Sequence, residues 1–83
     1  MTREDMLGEL KGFVVSELLD GRDSGLDEHT PLLAWRVIDS LSVQQLLSFT
    51  DERFDIEVPP HEVTPDNLKD LDSYVTMLMR VRP

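Results

Sequence analysis

Val37-Ile38-Asp39-Ser40-Leu41 closes a long irregular connection and opens an amphipathic helix, and the fold turns on that junction. Downstream of it Val43, Leu46, Leu47, Thr50 and Phe54 recur at helical spacing, which gives one apolar face. Asp39 and Ser40 are both residue types that cap a helix N-terminus, so either can start this helix. The helix must finish before Pro59-Pro60, because proline lacks the amide hydrogen and pushes the preceding residue out of the helical region. Ile56 and Val58 flank the exit.

Working backwards, residues 21–39 form a connection too long to be an idle linker. Leu26, Leu32, Leu33, Trp35, Val37 and Ile38 make it apolar enough to pack, and Thr30-Pro31 suggests a turn or a single helical turn part-way along. The segment is expected to lie over the helices and close one side of the core. Trp35 is expected to take part in that closure, with a partner or cargo contact as the alternative.

Further out, Thr2 followed by Asp5 matches a capping box, and Met6, Leu7, Leu10, Phe13, Val14 and Leu18 set out a first helix that stops near Asp20-Gly21. Gly8 and Gly12 each weaken this helix by about 1 kcal/mol relative to alanine. Their spacing predicts close approach of a neighbouring element. Beyond the central helix, Thr64-Pro65 starts a single turn, and Asp70 caps a last helix with Leu71, Tyr74, Val75, Leu78 and Val81 on one face. Arg80 and Arg82 favour its negative end and Pro83 closes the chain. The pattern predicts an all-α fold: a small bundle of three main helices plus one short helix, with a long loop between helices one and two. The whole chain, 1–83, reads as one domain.

Composition limits the function. The net charge is −9, and residues 40–62 carry five acids against one base, so a nucleic-acid backbone is repelled and a basic protein surface attracted. Without cysteine there is no disulfide, thiolate nucleophile or thiolate metal site. At this size only roughly 60% of the unfolded chain's surface is buried, which leaves no room for a deep active site. No apolar run is long enough to span a membrane and the N-terminus is acidic rather than a basic leader, so the expectation is a soluble, cytoplasmic monomer.

Ser40, Asp39 and His29 or His61 include the residue types of a hydrolytic triad, but no spacing here implies that geometry, and both histidines are expected to be solvated. Asp20, Asp23 and Asp27 imitate a calcium loop only superficially. Arg22 and Pro31 fall where oxygen ligands are needed.

With catalysis and metals set aside, the order of features is distinctive. A packed loop carrying Thr30-Pro31-Leu32-Leu33 and Val37-Ile38 runs into Asp39-Ser40-Leu41, an amphipathic helix to Phe54, and Ile56-Glu57-Val58-Pro59. Over nearly its whole length the chain resembles the acyl and peptidyl carrier proteins. The resemblance implies that a phosphopantetheinyl transferase moves 4′-phosphopantetheine from coenzyme A onto Ser40. Cargo then rides as a thioester, so that the reactive thiol belongs to the cofactor and the chain itself is not an enzyme. It further implies that Asp39, Leu41, Gln44, Gln45, Asp51 and Glu52, with Trp35 and Arg36 on the approach, meet partner enzymes. These would be the transferase, a loading ligase or acyltransferase, and downstream synthases or transferases.

Gln44 and Gln45 stand where fatty-acid carriers tend to have an apolar residue and an acid, and Arg36 stands where a glycine often precedes the motif. These departures set the chain apart from a housekeeping fatty-acid carrier, and Val37-Ile38 before Asp39 resembles the stand-alone carriers of polyketide or nonribosomal-peptide pathways. An unmodified acidic helical module, in which Ser40 only caps helix two, is the reading from another class. On the capping reading, Ser40→Ala costs about 1 kcal/mol. Met77 and Met79 are open to either surface or cargo-lining positions.

Overall fold

A computed structural model describes residues 2–19, 21 and 25–82. Helix α1 spans Arg3–Phe13 and continues as a π-helical turn over Val14–Leu18. Helix α2 spans Ser40–Phe54, a 3-10 turn covers Pro60–Glu62, α3 spans Pro65–Leu68 and α4 spans Leu71–Val81. Among the described residues every regular element is helical, so the expected bundle of three main helices and one short one is what forms.

The helix starts follow local chemistry. Thr2 accepts from the Asp5 amide while the Asp5 carboxylate accepts from the Thr2 amide, completing the capping box. Thr64 accepts from the Asn67 amide and Asp70 from the Ser73 amide, so α3 and α4 each begin on a side-chain oxygen. At the far end of α2, Asp55 adopts the left-handed conformation (φ 56°) that turns the chain out towards the prolines. Asp20, Arg22, Asp23 and Pro83, which figured in the helix-one stop, the rejected calcium loop and the chain end, lie outside the described residues.

The core is drawn from all four α-helices and from the π-helical turn. Met6, Leu10 and Val14 meet Leu46 of α2, Leu68, and Leu71, Tyr74, Val75, Met77 and Leu78 of the C-terminal part. Leu26, Leu32, Ile38 and Ile56 close it from the connections. The first connection is tied down at two points, where the Leu32 amide donates to the Lys69 carbonyl (2.8 Å) and the Asp72 amide to the Glu28 carbonyl (2.9 Å). The second bond satisfies an amide in the first turn of α4 that has no partner within its own helix.

Two expectations fail. Trp35 does not close the core: it is 63% exposed, and the burial from this loop comes from Leu32 and Ile38 instead. Gly8 and Gly12 face open solvent, with nothing within 4 Å of where a Cβ would lie. Side-chain contact between α1 and α2 is made at other positions of the helix, as where Phe13 stacks on Phe49 at 4.4 Å between ring centroids. Met77 is buried and Met79 half-buried, so both belong to the interior side.

Candidate functional site

The junction at the start of α2 is built by Asp39. Its backbone is extended, its Oδ1 accepts from the Ser42 amide at 2.9 Å, and its carbonyl accepts from the Val43 amide at 2.8 Å. The Ser42 hydrogen bond holds the Asp39 carboxyl below the usual carboxylate range, so it is ionised at neutral pH. Asp39, not Ser40, is therefore the cap. Ser40 occupies the first helical position, is exposed, and its hydroxyl has no hydrogen-bond partner among the described residues. The expected cost of Ser40→Ala as a lost cap is corrected accordingly.

A serine hydroxyl left free at a helix N-terminus is a nucleophile placed where backbone amides and the helix dipole favour an added phosphate. The ionised Asp39 alongside opposes that charge, while being available to cations brought by a partner. In these respects the residues present fit a phosphodiester on Ser40 Oγ.

The face of α2 that continues from Ser40 is open. Leu41 is 69% exposed, and Gln44, Gln45, Ser48, Asp51 and Glu52 are all exposed, one or two per turn. No ion pair engages Asp51 or Glu52 among the described residues. By contrast Arg53 is held by Glu9 through two hydrogen bonds, 2.7 and 3.1 Å, which takes the only cation of this segment away from that face. The structure thus brings Ser40, Leu41, Gln44, Gln45, Asp51 and Glu52 to one acidic surface with an apolar tip. Trp35 and Arg36 sit on the loop that leads into it. His29 and His61 are exposed and far from forming a triad with a capping aspartate whose acceptor is already used.

Two features of the approach escaped sequence reasoning. Leu33 is exposed while its neighbour Leu32 is fully buried, a distinction that an apolar pair does not reveal. Arg36 lies in the left-handed region at φ 57°. The turn before it is closed by bonds from the Trp35 amide to the Pro31 carbonyl and from the Val37 amide to the Leu32 carbonyl. A position that needs positive φ suits glycine, so the glycine often found near the motif in similar carriers was the one available signal.

The fold is a small helical bundle whose second helix opens on an exposed serine beside an acidic face. No family model matches the chain. It is similar to the probable acyl carrier protein PigG of Serratia sp. (strain ATCC 39006), with 27% identity over 74 residues, covering 89% of this chain and 85% of that protein. A solved structure described as the crystal structure of an FAD-dependent dehydrogenase contains a similar chain. That chain is 30% identical with a TM-score of 0.79, and the match covers 83% of this chain and 97% of that one. Because part of an 83-residue chain covers nearly all of it, the matched chain is itself a small domain. The likeness to a probable acyl carrier protein, spread over most of both chains, supports the resemblance to the acyl carrier proteins.

Proposed function

We propose that the chain is a single carrier domain, residues 1–83, that is not itself an enzyme and receives 4′-phosphopantetheine on Ser40. The observation that carries this reading is the division of labour at the start of α2. Asp39 caps the helix and leaves the Ser40 hydroxyl free and exposed. In the priming step, Ser40 Oγ attacks the phosphorus that bears the pantetheine of coenzyme A. The pyrophosphate P–O bond breaks, adenosine 3′,5′-bisphosphate leaves, and the serine proton passes to a base of the transferase. The group so attached supplies a thiol at the end of a flexible arm for an acyl or aminoacyl thioester.

The chain's own residues present that arm. Leu41 offers an apolar anchor beside it, and Asp39, Asp51 and Glu52 steer basic partner surfaces, an effect that falls with ionic strength. Gln44 and Gln45 replace an apolar and an acidic contact with neutral ones, which supports partners other than those of fatty-acid synthesis. We place the domain in a polyketide or nonribosomal-peptide pathway. A small chain of this fold within a structure described as an FAD-dependent dehydrogenase supports a flavin-dependent oxidation of the cargo as one partner reaction.

The test is an intact-mass measurement after incubating the apo chain with a promiscuous phosphopantetheinyl transferase, magnesium and coenzyme A. The expected result is a gain of one phosphopantetheinyl group, absent in Ser40→Ala. No gain in the unaltered chain overturns the proposal.

A further inference from the structure

A groove along α1 has no part in the chemistry at Ser40. Its volume is about 740 Å³; Gly8 and Gly12 line its length and Phe13 and Phe49 its apolar end. Glu4, Asp5, Glu9 and Glu17 rim it. An adjoining recess of about 320 Å³ shares Phe13, Glu17 and Phe49 and carries the groove on to Gln44, Gln45 and Glu52 of α2. We propose that this groove docks an amphipathic helix of a partner protein, its apolar ridge seated on the aromatic end and its lysines and arginines facing the acidic rim.

The shape fits a helix. Gly8 and Gly12 lie one turn apart on one face of α1, and nothing stands within 4 Å of where a Cβ of either would lie. Glycine weakens a helix interior, and no element of the chain uses the space these two leave. That space lets a second backbone approach α1 more closely than side chains would allow. At its end Phe13 and Phe49 stack at 4.4 Å between ring centroids, with Phe54 edge-on to Phe49 at 5.9 Å. Phe13 and Phe49 are only partly buried, so an apolar side chain laid on them removes further aromatic surface from water.

The charge selects the occupant. No lysine or arginine lines either part of the groove. Arg53, which reaches it from α2, neutralises Glu9 alone, through bonds of 2.7 and 3.1 Å. Glu4, Glu17 and Glu52 have no ion pair among the described residues, and the Asp5 carboxylate accepts only from the Thr2 amide and keeps its charge. Lys11 lines a different recess, with Leu7, Glu28 and Leu71. A second copy of a chain with net charge −9 is repelled from such a rim, as is any polyanion, whereas a basic helix is attracted. The aromatic end adds a requirement that charge alone does not meet.

This inference does not depend on modification of Ser40, and the experiment uses the unmodified chain. The probe is a synthetic helical peptide with a leucine stripe flanked by lysines and arginines, titrated into isotope-labelled chain and followed by amide chemical shifts. The control peptide has the same composition in an order that destroys the stripe. Shifts are expected at Gly8, Gly12, Phe13, Ser16 and Phe49, with Leu41 and Asp51 unmoved. Gly8→Gln with Gly12→Gln fills the groove without changing charge and replaces glycine by a better helix former, so the chain stays folded. It is expected to weaken the peptide by about tenfold or more while Ser40 is modified as before. Glu4→Gln with Glu17→Gln is expected to weaken it by about threefold and to flatten its salt dependence. Equal binding of the control peptide, shifts confined to the Leu41 side of α2, or full affinity in the glycine variant overturns the docking groove. So does movement of the groove resonances on diluting the chain alone, which assigns the face to a second copy.

Discussion

The two faces of α2 follow opposite rules. On the inner face Leu46 and Thr50 are fully buried, and the one polar group there is completely satisfied. Thr50 Oγ1 donates to the Leu46 carbonyl at 2.8 Å, and since it has a single proton, the Tyr74 hydroxyl must be the donor in the 2.7 Å bond between Tyr74 and Thr50. On the outer face Ser40, Gln44, Gln45, Asp51 and Glu52 are exposed, with Leu41 among them. Burial is concentrated on one side of a single helix, and the proposed modification site lies on the other. Substitutions on the two faces should therefore separate cleanly in what they change.

The largest effect is expected from Leu46→Ala, which empties a fully buried position and should cost ~2–5 kcal/mol by chemical denaturation. Modification of the folded fraction at Ser40 should continue. If a mutant still folded at working temperature lost modification in step with stability, the two faces would be coupled and the division would fail. Thr50→Val comes next, at about 1–3 kcal/mol, since it strands the Tyr74 hydroxyl in the core. Tyr74→Phe should cost less, because Thr50 keeps its bond to Leu46, and a reversal of that order would contradict the assigned direction of the bond.

The same pair sets an alkaline limit. Burial pushes the Tyr74 hydroxyl up to about 12, above its ordinary value of 10.0. A folded-state value raised in this way means that stability is complete below pH 10 and is lost as pH climbs towards 12. Thermal melts across that window should show the decline, and Tyr74→Phe should flatten it.

Asp39 has the opposite sign: its carboxyl is held low in the fold, so its support for α2 is present above the ordinary carboxylate range and lost as pH falls through the folded value. Helicity measured on acidification should drop less in Asp39→Asn than in the parent chain. Arg36→Gly is expected to raise stability by up to ~1 kcal/mol, the relief of a left-handed side chain being partly offset by the greater freedom of glycine when unfolded. At the small end, Ser40→Ala should change stability by less than about 0.5 kcal/mol, since its hydroxyl has no hydrogen-bond partner among the described residues.

Much of the inner face was legible in sequence because helix periodicity reports burial directly. Leu46 and Thr50 were placed on it by spacing alone, and the starts at Thr2, Thr64 and Asp70 by the residues that cap them. The outer face and its approach were less legible. Asp39 and Ser40 are both good cap residues, and only backbone geometry shows which oxygen meets the Ser42 amide. Trp35 is apolar in composition yet exposed in position, since an irregular segment has no period to say which of its apolar groups turn inward. Gly8 and Gly12 have the spacing of a close-packed pair, but spacing cannot supply the neighbour.

The sharpest test of the outer face is to locate the modification, not merely detect it. After transferase treatment with coenzyme A, fragment mass spectrometry over α2 distinguishes Ser40 from Ser42 and Ser48, the other hydroxyls of serine on that helix. The phosphopantetheinyl group is predicted on Ser40 alone, the serine that Asp39 leaves free at the first helical position. An unmodified chain, or a group found on Ser42 or Ser48, would contradict the account.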